Sequence, residues 1–225
     1  ELNKPTYLIM GIINYTNICV AQCDYCAFYR LPNSPEGYIL SQKQIFDRID
    51  SLKDHGATLV GFNGGFHPKL KIEWYCDVFS SIREKYQGEI EFYAMTIAEM
   101  MYAAKQSKMS YYDACIELKN SGVSWITGGG SEILTNDFRD RHSAMKYTAD
   151  EYMLAHEEVA RAGLNTTATM VIGFDETIDE RVEHLRRVRD LQDKTDALFS
   201  FLSWTYKPYN TDLGGEEVTH EEYLR

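Results

Sequence analysis

Apolar and polar positions along the chain follow two periods that take turns. Six short runs, Tyr7 to Ile13, Thr58 to Asn63, Glu89 to Met95, Val123 to Thr127, Asn165 to Ile172 and Leu198 to Tyr206, are apolar or alternating and predict strands. Between them the spacing shifts to helical. Ile45, Phe46, Ile49 and Leu52 share one helix face, and Tyr75, Val78, Phe79, Ile82 and Tyr86 share another. Val182, Leu185, Val188 and Leu191 predict the apolar side of a long helix. Capping boxes open four helices, at Ser41/Gln44, Thr148/Glu151, Thr177/Glu180 and Thr219/Glu222, and Ser110 with Asp113 opens a fifth. A short helix is expected from Ile97 to Lys105. Gly56, Gly88, Gly122 and Gly163 are placed to close the helices before them.

Strand and helix alternating in this way imply parallel strands joined by right-handed crossovers, an α/β fold. Six units predict a partial TIM-like (βα)6 barrel, short of the closed eight-unit form of about 250 residues. A doubly wound sheet has the same periodicity and stays open as the alternative. The glycine- and cysteine-rich stretches favour the barrel, because all follow strand C-terminal ends, where barrel enzymes build their sites. The 225 residues are read as a single domain. The chain opens at Glu1 rather than a methionine and stops just after its last capping box. It is therefore expected to be a piece of a longer chain, ending before any C-terminal cap of the barrel.

Composition narrows the function. Hydrophobic residues at 44% and charged residues at 25% are globular values, and a net charge of -11 argues against a nucleic-acid partner. No apolar run approaches a membrane span and the N-terminal segment lacks a signal pattern, so a cytoplasmic location is expected. Five cysteines, an odd number with three grouped, make a poor disulfide framework and imply a reducing compartment. Cys76 and Cys115 fall in helical patterns and read as packing residues. His55, His156, His184 and His220 also lie in helical surroundings and are expected at the surface.

The grouped cysteines carry the chemistry. Cys19, Cys23 and Cys26 stand in C-x3-C-x2-C spacing just past the first strand, with Tyr25 before the last of them. Clustered thiolates suit an iron-sulfur cluster, and three ligands for four irons leave one iron open to a substrate. A zinc site needs a fourth ligand, with His67 or His142 as candidates. Asn63-Gly64-Gly65 ends the second strand, where a backbone without side chains can approach a ligand. Glu132 follows three glycines beside Ile133 and Leu134, as a carboxylate in a semi-buried loop. Glu176 either faces a ligand or supports the next helix through its dipole. Arg30 could fork onto a substrate carboxylate or pair at the surface. His67 is a candidate for substrate contact or proton transfer.

The cysteine spacing and its aromatic resemble the radical S-adenosylmethionine (SAM) superfamily. The resemblance implies a 4Fe-4S cluster whose open iron chelates the amino and carboxylate groups of SAM, and an electron that cleaves SAM to methionine and a 5'-deoxyadenosyl radical. It places Asn63, Gly64 and Gly65 at the SAM amino acid moiety, with Phe66 where an acidic residue is usual. It places Thr169 to Glu176, including Gly173, near the adenine and Glu132 at the ribose. Asn14 to Asn17, Cys26 to Arg30, Pro35 to Tyr38, Gly64 to Pro68, Gly128 to Leu134, Thr167 to Met170 and Leu191 to Thr195 resemble the dehypoxanthine futalosine cyclase family of menaquinone biosynthesis. That implies a nucleoside substrate, cyclised when the radical takes a ribose hydrogen, the carbon radical attacks the benzoate ring, and loss of an electron and a proton gives the cyclic product. It also implies an electron donor such as flavodoxin or ferredoxin. Phe174-Asp175 and Tyr93 to Thr96 depart from positions where relatives often carry histidine, and Thr127 from a common proline. His67, Tyr93 and Asp175 are therefore the candidates for the proton acceptor. Aminofutalosine synthase and the deazaflavin-forming enzymes share the scaffold and are the enzymatic alternative. A non-catalytic module in which metal staples a loop is the alternative of another class. Cys76→Ser and Cys115→Ser are expected to keep the full iron content of a reconstituted protein, and loss of iron in either would add that residue to the ligand set.

Overall fold

The computed structural model describes residues 7–224. Six strands, β1 (Met10–Asn14), β2 (Leu59–Asn63), β3 (Glu91–Thr96), β4 (Trp125–Thr127), β5 (Asn165–Ile172) and β6 (Leu198–Thr205), form one sheet in sequential order, every neighbouring pair parallel. Sequential order decides between the two architectures left open above. A doubly wound sheet reverses direction at a switch point, whereas here each right-handed crossover steps the same way, so the sheet curls into an open half-barrel.

The crossovers carry α1 (Gln42–Asp54), α2 (Ile72–Tyr86), α3 (Ile97–Ser107), α4 (Tyr111–Asn120), α5 (Asn136–His142), α6 (Ala149–Arg161) and α7 (Ile178–Thr195), and α8 (His220–Tyr223) follows β6. All four predicted capping boxes form, and Thr96 with Glu99 makes a further one at α3. Helices cover one face of the sheet, where Ile13, Val60, Phe62, Phe92, Ala94 and Ile126 are buried. On the other face Met10, Ile12, Phe199 and Trp204 remain exposed. No helix among the described residues is long and apolar enough to cross a membrane.

Three expectations are corrected. The first strand starts at Met10, and Tyr7 and Leu8 before it are exposed. α5 was not foreseen, since its sequence NDFRDRH has one large apolar residue, Phe138. In α7, Val182 and Leu185 are exposed while His184 and Leu191 are buried. Steps of three residues drift by about 60° around a helix, so Val182 and Leu191 lie on opposite sides. The buried stripe instead runs His184, Val188, Leu191, and its first member is a histidine. His184 Nδ1 accepts from the Leu134 N–H at 3.0 Å. His156 is equally hidden, with Nε2 3.0 Å from Thr166 Oγ1, whereas His55 and His220 are exposed as expected.

Burial holds His156 down to about 3 and His184 to about 4. In the unfolded chain both titrate near 6.5, so between these values the unfolded state binds more protons and stability falls as the pH is lowered. Each group contributes up to about 1.4 kcal/mol per pH unit across that window. Denaturant unfolding is expected to show a loss on the order of 2–4 kcal/mol from pH 7 to pH 5, halved by His156→Gln. A stability constant over that interval would contradict two buried neutral imidazoles.

Candidate active site at the strand C-terminal rim

The cysteine loop follows β1 and is closed on itself before it meets the rest of the rim. The Arg30 N–H donates to the Asn17 carbonyl at 2.8 Å and the Cys19 N–H to the Arg30 carbonyl at 2.9 Å. Asn17 also accepts from the Tyr38 N–H and donates to the Glu36 carbonyl, both at 2.9 Å, which ties the loop to Pro35–Tyr38. Gln22 turns the chain between the first two cysteines in a left-handed conformation, φ 49°.

β2 delivers the glycine pair against this loop. The Phe66 N–H donates to Cys19 Sγ at 3.3 Å, the Ala21 N–H reaches the same sulfur at 3.4 Å, and the Val20 N–H donates to the Phe66 carbonyl at 3.1 Å. A Cβ on Gly65 would stand 2.4 Å from the Ile18 oxygen and 2.6 Å from Cys19 Cβ, so glycine is required. Beneath the pair lies Glu99, 4% exposed, whose carboxylate accepts from the Gly64 N–H at 2.7 Å, from the Tyr15 hydroxyl and from Thr96. Burial raises the Glu99 carboxyl above its ordinary range despite those donors. Sequence reading missed Glu99, although its capping-box spacing from Thr96 was visible. Gly64 offers no free N–H to a ligand, because Glu99 takes it.

Cys23 is buried, and Cys19 and Cys26 are partly so. Burial pushes the Cys23 thiol up to about 11, with Lys146 pulling it back, and burial also raises Cys19 against the Phe66 and Ala21 donors. Metal binding to such thiols releases their protons. Among the described residues, no group of three or more His, Cys, Asp or Glu side chains is drawn together to hold a single metal ion. Of the two candidate fourth ligands for zinc, His142 lies between Asp24 and Asp175, and His67 Nδ1 accepts from the Lys69 N–H. A cubane binds each thiolate through its own iron and needs the cysteines around a common space instead of at one point. Three thiols on one loop, with N–H donors already aimed at Cys19 Sγ, fit that donor set.

The loop after β4 brings charge to the cysteines. Gly128 approaches β5 so closely that a Cβ would stand 2.2 Å from the Thr167 oxygen. Glu132, at φ 40°, accepts from Lys146 Nζ at 3.0 Å, and Lys146 also donates to the Tyr25 hydroxyl at 3.2 Å. Both side chains are largely enclosed, at 16% and 8% exposure. Burial would raise the Glu132 carboxyl, but Lys146 and then Arg139 hold it below its ordinary value. Arg139, 2% exposed, donates to the Tyr147, Gly130 and Ser131 carbonyls, and its Nη2 has no partner. A buried Arg139 and a half-buried Lys146 thus face one half-buried carboxylate. Lys146 and Arg139 were not foreseen, because nothing in their local spacing marks them.

The loop after β5 completes the rim. Glu176 accepts from the Gly173 N–H at 2.9 Å and the Phe174 N–H at 2.8 Å and pairs with Arg181, so it builds this loop. Asp175 is held by Arg141 at 3.0 Å and His142 at 2.7 Å. Phe174 packs on Tyr25 of the cysteine loop, ring centroids 5.3 Å apart. The cysteines, Tyr25, Asn63 to Gly65, Glu132, Gly173 and Glu176 therefore meet at one rim. Tyr93 pairs in register with Gly61, below that rim, its ring 5.2 Å from Trp125. His67 is 5% exposed and is kept below its ordinary pKa by burial and then Lys69. Arg30 pairs with Glu36 and donates to the Ala27 and Tyr29 carbonyls, and it lines an open cleft of about 680 Å³ with Cys26, Tyr29 and Asp212.

Comparison with known proteins agrees with this geometry. The chain is 38% identical over 221 residues to a cyclic dehypoxanthine futalosine synthase of Halalkalibacterium halodurans, covering 98% of the chain and 60% of that protein. It is 32% identical to a 5-amino-6-(D-ribitylamino)uracil–L-tyrosine 4-hydroxyphenyl transferase of Methanococcoides burtonii, covering 99% of the chain and 61% of the relative. The chain thus spans about three-fifths of the length of these relatives. Crystalline methylornithine synthase superposes with a TM-score of 0.73 at 14% identity, over 93% of this chain and 57% of that one, a likeness of fold. The Radical SAM superfamily model matches residues 13–188, from the end of β1 into α7, and takes in all three cysteines and the four loops of the rim: the chain belongs to the Radical SAM superfamily.

Proposed function

We propose that this chain is the catalytic barrel of a radical SAM enzyme that cyclises dehypoxanthine futalosine to cyclic dehypoxanthine futalosine. One observation carries the reading: a three-thiol loop, bonded through Cys19 Sγ to the N–H groups of Phe66 and Ala21, is packed against the loops after β2, β4 and β5 at a single rim. Cys19, Cys23 and Cys26 hold the 4Fe-4S cluster. When bound, the cluster supplies the electron that cleaves SAM, received from a donor such as flavodoxin or ferredoxin.

The chain's own residues bind and orient. Asn63 and the Gly64-Gly65 carbonyls face the SAM amino acid moiety, Tyr25, Gly173 and the loop braced by Glu176 face the base, and Glu132 accepts from the ribose. Lys146 keeps Glu132 ionised for that role. Phe66, Phe174 and Tyr25 exclude water, which would otherwise divert the reaction. Arg30 and His67 are assigned to the nucleoside substrate, with the proton acceptor among His67, Tyr93 and Asp175. The identity to the hydroxyphenyl transferase supports a second reading, a deazaflavin-forming type of reaction on the same scaffold.

Anaerobic incubation of reconstituted protein with SAM, reductant and dehypoxanthine futalosine is expected to give 5'-deoxyadenosine and a product two hydrogens lighter than the substrate. A parallel incubation with 5-amino-6-(D-ribitylamino)uracil and L-tyrosine in place of dehypoxanthine futalosine, if it gave a uracil product carrying a hydroxyphenyl group, would favour the second reading. Cys19→Ala, Cys23→Ala and Cys26→Ala are each expected to abolish 5'-deoxyadenosine formation, and full activity in any of them would remove that residue from the ligands. Glu132→Gln is expected to keep the iron content and raise KM for SAM by about tenfold, a loss of roughly 1.4 kcal/mol. Unchanged kinetic constants would reject its contact with SAM.

A further inference from the structure

His142, the last residue of α5, stands between two loops that come from distant parts of the chain. Its Nδ1 lies 2.9 Å from Asp24 Oδ2, 118 residues away, and its Nε2 lies 2.7 Å from Asp175 Oδ1, 33 residues away. Asp24 sits between Cys23 and Tyr25, and Asp175 between Gly173 and Glu176. A second bond runs from the Asp24 N–H to the His142 carbonyl at 3.3 Å. The histidine ring is 6% exposed and packs on Phe138 and Phe174, with centroids 4.7 and 6.3 Å away. Arg141, its neighbour, pairs with Asp175 at 3.0 Å and with Glu180 at the start of α7 at 3.1 Å.

A purely stabilising role accounts poorly for this arrangement. Asp175 is 54% exposed, and ion pairs of such exposure contribute about 0–1 kcal/mol. Enclosing a polar ring between two carboxylates is a costly way to fill a space that an aliphatic side chain would fill. What the imidazole supplies is geometry, because its two nitrogens are held at a fixed separation and each meets one loop. Truncating it would remove the one group that meets both Asp24 and Asp175, leaving Asp175 with Arg141 alone.

We propose that His142 is a positioning residue: it locks the cysteine loop to the loop after β5, and so sets the pose of SAM across the two. This inference rests on the reading of the rim as a SAM site. His142 touches neither a cysteine nor the reacting atoms. Its removal should spare the cluster and weaken SAM binding.

The test uses reconstituted wild-type protein, His142→Ala, His142→Gln, Asp175→Asn and the double variant His142→Ala/Asp175→Asn. Iron and sulfide per chain are measured, together with the Kd of SAM from the change it makes in the electron paramagnetic resonance spectrum of the reduced cluster. KM and kcat for 5'-deoxyadenosine formation complete the set. His142→Ala is expected to keep its iron, to raise Kd and KM for SAM by about tenfold and to change kcat by less than about threefold. His142→Gln should recover part of the loss, because its amide can still donate to Asp175. Asp175→Asn should raise Kd severalfold, and the double variant should be no worse than His142→Ala, as expected of residues acting through one contact. A Kd within about twofold of wild type in His142→Ala, or losses that add in the double variant, would overturn the proposal. Should His142→Ala fail to fold, Asp175→Ala decides in its place, since that carboxylate is half exposed and alanine leaves His142 Nε2 no acceptor: unchanged Kd overturns the positioning role. Wild-type protein that holds iron but shows no spectral response to SAM would overturn the SAM site itself, and this inference with it.

Discussion

The close approach of Gly65 to the backbone at Ile18 and Cys19 is the constraint on which the rim depends. With no side chain between them, β2 hands the Phe66 N–H to Cys19 Sγ and takes the Val20 N–H on the Phe66 carbonyl, so the loop that carries the thiols is held by the sheet. Sequential parallel order then brings the loops after β4 and β5 to the same end. Glu99 secures the contact from below by holding Gly64 and Tyr15 with one carboxylate. The fold thus fixes backbone first, and the ligand-facing side chains hang on a frame that has little room to relax.

Charge is concentrated where the frame is tightest. Arg139 is buried and Lys146 half-buried beside Glu132, and His142 is buried between Asp24 and Asp175, although enclosed charged pairs are weak contributors to stability. Their placement makes sense as orientation and field. A cation next to Cys19 and Cys23 opposes the negative charge that accumulates when thiolates bind iron, and a carboxylate kept ionised by that cation can accept hydrogen bonds from a polar ligand.

How much of this was legible in the sequence divides along the range of the interactions. The strand-helix alternation, the capping boxes and the cysteine spacing are local, and the sequence carries them in full view. The choice of half-barrel over doubly wound sheet was supported by the position of the motifs but required strand order to decide. Glu99 had a readable capping signal whose partner, Gly64, is 35 residues away. Lys146 had no signal and His142 was visible only as a candidate zinc ligand, because each meets its partner on the cysteine loop more than 100 residues distant. The buried face of α7 differs for another reason: a histidine whose Nδ1 accepts from the Leu134 N–H occupies a position that an apolar count scores as surface.

The measurement that bears most directly on the account is electron-nuclear double resonance of the reduced, anaerobically reconstituted protein with SAM labelled at its amino nitrogen. An iron site left open by three thiolates predicts a hyperfine coupling to that nitrogen, absent without SAM and lost in Cys23→Ala. A reduced cluster that shows no such coupling, or a reconstituted protein that takes up zinc in place of iron and sulfide, would contradict it.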